Sequence, residues 1–349
     1  MTTAARLAGV GGYVPPRIVT NHELSRHLDT SDEWIRTRTG IRQRHVVDRG
    51  ITTSDLAIIA ARKALDTAPA DPEVDLLVLA TTTPDQPCPA TAPAIAAALG
   101  LGTIPAYDIA AVCSGFIYAL AAATNAVRAG QSQRALVIGA ETFTTILDPT
   151  DRTTTPIFGD AAGAVLVEAC APGAAGELHE FSLGSDGTQV DLIGISGGGA
   201  KERTNADASA TFDRHFRMQG QQVFRSAVSR MTESSQTVLA RTGWNTAELD
   251  WLVGHQANAR IIAAIGDHLG VDADKAIVNL DKVGNTSAAS IPLALADAAS
   301  RHRIKTGHKL LLTAFGGGTT WGAVTLTWPQ LPAVLPITDD HSVAHKQSA

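Results

Sequence analysis

Apolar residues in this chain fall into two kinds of stretch. Some are short and nearly continuous: Val74 to Ala80, broken only by Asp75, and Ala135-Leu136-Val137-Ile138-Gly139. Runs of that kind are what strands covered on both faces show. Between them lie stretches of helical character. Thr53 to Leu65 is amphipathic, Thr91 to Leu99 is closed by Gly100, Phe116 to Ala129 is free of proline, and Gly220 to Thr242 is long. Ser31 followed by Asp32, Glu33 and Trp34 is a helix start, with a hydroxyl cap and acidic first-turn residues. Residues 7–20 predict a strand and a Pro-Pro turn, and Phe158 to Gly163 opens a further strand over Ala164 to Val167. Gly184 to Phe216 is rich in Gly, Ser, Asp and Thr and predicts loops and edge strands. Buried strands alternating with helices predict an α/β protein with parallel sheet content.

The pattern repeats. Val74-Asp75-Leu76-Leu77-Val78 matches Leu249-Asp250-Trp251-Leu252-Val253, Tyr118 to Ala121 matches Leu293 to Ala296, and Ala135 to Ile138 matches Leu310 to Thr313, each 175 positions apart. One register held across strand, helix and strand predicts a duplicated α/β unit, two similar halves related by a pseudo-two-fold axis. Sites in such folds form outside the carboxyl ends of the strands. The register sets Cys113 against Ala288, three residues after Asn285, so both loops should face one cleft. The halves are expected at 1–172 and 173–329, with a polar tail over 330–349 that carries His341 and His345 and reads as a frayed terminus rather than a metal site.

Composition narrows the function classes. A 349-residue chain with 44% hydrophobic and 18% charged residues is an ordinary globular protein with ample length for a large core. A net charge of −6 argues against general nucleic-acid binding. Three cysteines, Cys88, Cys113 and Cys170, have no paired spacing, which argues against a disulfide framework or a cysteine zinc site. The first residues lack a signal-peptide core, and no run of about 18 apolar residues exists, so the expected location is cytoplasmic, with no membrane span.

Asp108 to Phe116 is the stretch around which the chemistry gathers. Small and apolar residues lead into Cys113, and Ser114-Gly115 open the helix that follows. A thiol at a helix start can have a lowered pKa and react as thiolate; a lone cysteine can also be a buried packing residue. His255 stands just beyond a strand in Gly254-His255-Gln256-Ala257-Asn258, and Asn285 lies in the loop Val283 to Ser290, read as strand-to-helix. Phe315-Gly316-Gly317-Gly318-Thr319-Thr320-Trp321 can bring backbone N–H groups close to a ligand. Alone, each has a structural reading: a satisfied core histidine, a turn asparagine, a tight loop. Together they are a thiol, an imidazole, a carboxamide and an oxyanion-type loop, the groups that acyl transfer through a thioester requires. Trp34, Arg36 and Arg38 could stack on an adenine and hold phosphates, or could be solvated surface residues.

The blocks Ala111 to Phe116, Gly254 to Ile261, Gly284 to Ser290 and Phe315 to Gly322 resemble those of β-ketoacyl-acyl carrier protein synthase III, the initiating condensing enzyme of the thiolase superfamily. Trp34 to Ile41 and Asp148-Pro149-Thr150-Asp151-Arg152 are similar too, and the resemblance runs from about residue 5 to residue 328. It implies a thiolase-like fold with a layered αβαβα architecture. It implies that Cys113 takes the acyl group from an acyl-CoA, with the N–H groups of Cys113 and Gly317 holding the oxyanion. His255 and Asn285 would then hold the carbonyl of malonyl-acyl carrier protein during decarboxylation. The resemblance sets Trp34, Arg38, Arg152, Phe224 and Ala257 along the CoA path and Arg225 and Arg260 against an acidic carrier protein. It implies a homodimer and no metal or redox cofactor.

One departure concerns the primer. Acetyl-selective members of the family carry a large aromatic residue where this chain has Cys88, at a position reaching the partner's acyl pocket. A smaller side chain would deepen that pocket for longer or branched primers, or be a neutral packing change; Pro156, also unusual, could offset the gain. Two other readings of the whole chain stand beside condensation: transfer of the acyl group from Cys113 to another acceptor without decarboxylation, and an inactive scaffold. Asparagine rather than aspartate at 285 favours condensation, because a carboxamide can donate to an enolate oxygen.

Overall fold

The apolar run ahead of Thr81 forms the strand Leu76–Ala80, with every residue buried. Its alternate side chains serve different layers. Val78 joins the core between two sheets, while Leu77 and Leu79 face helices on the other side. This computed structural model describes residues 3–68, 73–207 and 209–338.

Two sheets organise the molecule. The first has the spatial order Ala4–Tyr13, Ala161–Cys170, Arg134–Glu141, Leu76–Ala80, Ala106–Ile109. Leu76–Ala80 is parallel to both its neighbours, and the other pairings are antiparallel. The second runs Trp251–Gly254, Lys309–Gly316, Thr320–Thr327, Leu178–Ser185. It repeats the scheme, with one parallel pair and then two antiparallel ones. A parallel bridge from Leu252 to Ala276 takes the place of the first sheet's edge strand.

The helices Gly115–Arg128 and Ser290–Ser300 lie between the sheets. Phe116, Ile117, Leu120, Leu293 and Leu295 share one core with Val137 and Val165 of one sheet and Leu310, Leu312 and Val324 of the other. Thr53–Asp66 and Ala92–Ala98 cover the outer face of the first sheet. Gly220–Thr242 and Ala259–Leu269 cover that of the second. The result is the expected five-layered αβαβα thiolase-like fold.

The 175-residue register holds closely in the structure. The strands Arg134–Glu141 and Lys309–Gly316 superpose in sequence at that offset, and so do the 3₁₀ turns Val112–Ser114 and Ser287–Ala289. Val112 and Ser287 both have φ 47°. A positive φ is costly for a branched side chain, so the same strained turn is built twice, once before Cys113 and once before Ala288.

Several elements differ from expectation. Asn285 follows the one-turn helix Leu280–Val283 rather than a strand, and its backbone bridges to Phe158. The strand expected from Ala164 begins at Ala161, and the segment after Gly184, besides the short paired strands Ile193–Gly194 and Arg217–Met218, holds the 3₁₀ turn Gly187–Leu192 and the one-turn helix Ala200–Arg203, which the loop-and-strand expectation did not include. The terminal segment is not frayed as far as Ile337. Ile337 is buried, its carbonyl accepts from the Val14 amide, and Lys63 Nζ donates to the Pro336 carbonyl at 2.8 Å. Apolar burial wins over terminal entropy there. Residues 339–349, with His341 and His345, lie outside the described residues.

Candidate active site

Cys113 is delivered by the strained turn Val112–Ser114, immediately ahead of the helix Gly115–Arg128. Its side chain is buried, and its Sγ lies 3.6 Å from Ser287 Oγ, within reach of a weak thiol hydrogen bond. The loop after Lys309–Gly316 presses on it from the other half. A Cβ on Gly316 would come 2.9 Å from the Cys113 amide nitrogen and 2.8 Å from the Ala111 carbonyl, so only glycine fits there. Gly317 follows and lies against Val112 and Ile193. Thr320 Oγ1 and Ser114 Oγ, 2.8 Å apart, tie this loop to the cysteine turn.

The expectation of a lowered thiol pKa does not hold in this structure. Burial pushes the Cys113 thiol up to about 12; Ser287 offsets this in part, and the nearby Glu141 carboxylate pushes it further up. Desolvation of a thiolate outweighs what a helix start contributes.

His255 follows the strand Trp251–Gly254, and its backbone N–H donates to the Thr313 carbonyl at 2.8 Å. Its Nδ1 is 2.6 Å from Ser290 Oγ. Ser290 Oγ makes no other side-chain hydrogen bond among the described residues, so its single proton is best used toward Nδ1. That assigns the remaining ring proton to Nε2, which has no protein partner among the described residues. Burial lowers the His255 pKa to about 3, so the ring is neutral near pH 7 and acts as a hydrogen-bond donor, not as a cation.

Asn285 is buried, and its Oδ1 accepts from the Ser287 amide at 2.9 Å. This fixes the carboxamide with Nδ2 on the other side, where it has no protein partner among the described residues. The Asn285 backbone is held on both sides: its N–H donates to the Ile157 carbonyl at 2.9 Å, and its carbonyl accepts from Gly159 at 3.0 Å. Segment 285–290 thus touches every expected catalytic group. Asn285 is its first residue, Ser287 reaches Cys113, and Ser290 reaches His255.

The residues expected along the CoA path lie at a rim formed by both halves. The helix Asp32–Thr39, capped by Ser31, ends at Gly40 against Ala259, and Ile35, Ile41, Ile262 and Leu280 pack beneath it. This sets Trp34 and Arg38 beside the start of Ala259–Leu269, where Asn258 Nδ2 donates to the Arg38 carbonyl at 3.0 Å. The Arg152 guanidinium lies over the Trp34 ring at 5.6 Å and pairs with Asp29. Arg260 lies over Phe224 at 5.7 Å, with exposed Arg225 adjacent in sequence and Ala257 half-buried nearby in the chain. Cys88 is exposed, and its neighbours Pro87 and Pro89 line a cavity of about 430 Å³ that extends to Val112, next to Cys113. Pro156 is buried, its carbonyl accepting from Arg44 at 2.6 Å.

Sequence reasoning missed three residues: Ser287, Ser290 and Glu141. Glu141 ends its strand fully buried, and burial pushes its carboxyl up to about 7. The repeat could have flagged it, because Glu141 occupies the register position of Gly316.

The family model described as "3-Oxoacyl-[acyl-carrier-protein (ACP)] synthase III" matches residues 107–187, and that of its C-terminal part matches residues 239–328. A Streptomyces coelicolor protein named beta-ketoacyl-[acyl-carrier-protein] synthase III 3 is 53% identical, over 96% of this chain and 100% of that one. The solved 3-oxoacyl-(acyl carrier protein) synthase III of Pseudomonas aeruginosa is 44% identical, with a TM-score of 0.86 over 95% of this chain and 100% of that chain. The solved priming beta-ketosynthase of the R1128 polyketide pathway is 35% identical, with a TM-score of 0.87 over 95% of this chain and 98% of that one.

Proposed function

The chain belongs to the 3-oxoacyl-[acyl-carrier-protein] synthase III family, and from that premise we propose that it condenses an acyl-CoA primer with malonyl-acyl carrier protein, releasing CoA and CO2. The observation that carries the reading is segment 285–290, which binds the thiol, the imidazole and the carboxamide into one unit and leaves two side-chain donors unused.

Cys113 Sγ attacks the acyl-CoA carbonyl carbon, and the developing oxyanion sits at the amides of Cys113 and Gly317. The duplication supports this use of the turn. In the other half, the amide of Ala288, the register partner of Cys113, already has an anion at 3.4 Å, the Glu141 carboxylate. CoA leaves and the malonyl thioester enters. His255 Nε2–H and Asn285 Nδ2 then donate to its carbonyl oxygen, where charge gathers as CO2 departs. The resulting carbanion attacks acyl-Cys113. This chemistry needs neither a metal nor a redox cofactor, and acyl-CoA takes part as substrate.

Trp34, Arg38 and Arg152 hold the adenine and phosphates, and Phe224 and Ala257 line the pantetheine path. Arg225 and Arg260 face the carrier protein through a local basic rim on a chain of net charge −6. We assign the enzyme to primer condensation at the start of a fatty acid or polyketide chain, working as a cytoplasmic homodimer. Among the described residues no helix is long and apolar enough to cross a membrane. The exposed Cys88 beside the cavity at Val112 leaves room for a primer longer than acetyl.

Intact-mass analysis with a panel of acyl-CoAs, followed by malonyl-carrier protein, tests the reading. Expected are an acyl adduct on Cys113, then CO2 and a 3-oxoacyl carrier product. An adduct that waits for a hydroxyl or amine acceptor would sink it, and strict acetyl preference would remove the role given to Cys88. Trp34→Ala is expected to raise KM for acyl-CoA roughly tenfold with kcat little changed. An unchanged KM in a Michaelis series would take Trp34 off the CoA path.

A further inference from the structure

The buried carboxylate of Glu141 has no part in the steps above, yet it lies one hydroxyl away from the nucleophile. Ser287 Oγ donates to Glu141 Oε1 at 3.0 Å and accepts from Cys113 Sγ at 3.6 Å. The remaining contacts of the carboxylate are all donors: the Thr82 amide at 3.0 and 3.1 Å, Thr83 Oγ1 at 2.9 Å and the Ala288 amide at 3.4 Å. No Arg, Lys or His pairs with it among the described residues. The titratable group that faces it is Cys113, from the helix start; the Thr82–Thr83 loop and segment 287–288 present only hydroxyls and amides.

A buried carboxylate with no cationic partner is expensive. The repeat shows that the fold does not demand it, since the equivalent position in the second half is Gly316. We infer that Glu141, acting through the Ser287 hydroxyl, takes the Cys113 proton as the thiol is acylated, a Cys113–Ser287–Glu141 line separate from the His255–Asn285 pair. The idea rests on Cys113 being the acyl acceptor.

The Cys113 S–H proton passes to Ser287 Oγ while the Ser287 proton passes to Glu141, leaving Ser287 neutral. Sγ bonds to the acyl carbon, and the bond from that carbon to the CoA sulfur breaks, its electron pair leaving on sulfur. The proton returns along the line to the departing CoA thiolate. The sum is Cys113–SH plus acyl–S–CoA giving acyl–Cys113 plus HS–CoA. One negative charge is present throughout: it starts on Glu141, passes to the oxyanion as Sγ bonds to the acyl carbon and then to the departing CoA sulfur, so no second charge is desolvated. Because burial puts the thiol near 12 and the carboxyl near 7, free thiolate is scarce at neutral pH. Proton transfer therefore accompanies bond formation, as general-base catalysis requires.

The ionised carboxylate is the active form, so acylation is expected to rise with pH through about 7 and then level. The test is rapid-quench intact-mass measurement of Cys113 loading between pH 5.5 and 8.5, using whichever of acetyl-, isobutyryl- and octanoyl-CoA loads wild type fastest. Glu141→Gln, which keeps the shape but exchanges one acceptor oxygen for a donor, and Ser287→Ala, which cuts the line at its middle, are each expected to slow loading about 100-fold and flatten the pH profile. Both should leave decarboxylation of malonyl-carrier protein within a few-fold, because the Ser287 backbone still orients Asn285. Loading with wild-type rate and pH profile in either variant would overturn the relay alone. So would equal loss of loading and decarboxylation in both variants, the mark of a packing role. Failure of wild type to load any of the three would overturn the acyl-acceptor assignment and the relay with it.

Discussion

Cys113→Ala is expected to abolish acyl loading and to cut condensation by about 10⁴-fold or more, the scale seen when a covalent nucleophile is removed. The loss is in chemistry, not in folding. The side chain is small, its one polar contact is a thiol hydrogen bond of 3.6 Å, and its removal costs about 1 kcal/mol of stability. Ser287 keeps its stronger partner in Glu141, so the turn stays anchored. The informative part is what survives. His255 and Asn285 are held by Ser290 and by the Ser287 amide, not by the thiol. Malonyl-carrier protein should therefore still lose CO2 in the variant, giving the acetyl carrier in place of a 3-oxoacyl product. Mass spectrometry of the carrier separates the two outcomes. Residual 3-oxoacyl product at more than a thousandth of the wild-type rate would mean that another group accepts the acyl chain.

That separation shows how much of the site was legible in the sequence. The strands are readable because nearly continuous apolar runs are rare outside a doubly covered sheet, and the 175-residue register carries the two-sheet plan. Cys113, His255 and Asn285 were readable because each lies at a loop beyond a strand or turn and the groups make chemical sense only together. Local environment was not readable. The helix start suggested an acidic thiol, but the closing of both halves over Cys113 removes water from it, and desolvation reverses the sign. Ser287 and Ser290 look like ordinary small residues at a helix entry, and only the fold shows that one holds the thiol and the other the imidazole. Glu141 reads as the polar end of a strand; its burial needs residues from three separate stretches, around 82, 141 and 287. The terminal segment misled for a similar reason, because the amide that donates to the Ile337 carbonyl, that of Val14, lies more than 300 positions earlier.

His255→Ala and Asn285→Ala are each expected to slow decarboxylation by about 10²–10³-fold, the cost of losing one donor aimed at an oxyanion, with Cys113 loading nearly unchanged. The two losses should not simply add, since both donors serve one oxygen. Asn285→Ala also leaves the Ser287 amide without its acceptor, which costs about 1–2 kcal/mol of stability. Asn285→Asp is the sharper variant: it retains the acceptor for that amide but replaces the donor with a charge that repels the enolate, so it should decarboxylate no faster than the alanine variant. The pH profile adds a second check. With its pKa near 3, His255 is a neutral donor from about pH 5 upward, so decarboxylation measured alone should stay flat from pH 5 to 8.5. A loss of rate as pH rises through 6 to 7 would instead identify an imidazolium as the working form. The same shift has a consequence for folding. The unfolded chain binds a proton at His255 below about 6.5, while the folded chain resists until about 3, so this residue's contribution favours unfolding progressively as pH falls through that window. His255→Gln, which cannot titrate, should lessen the acid sensitivity of Tm between pH 6.5 and 4. If wild type and variant lose Tm in parallel across that range, the buried neutral imidazole is not what the acid limit reports.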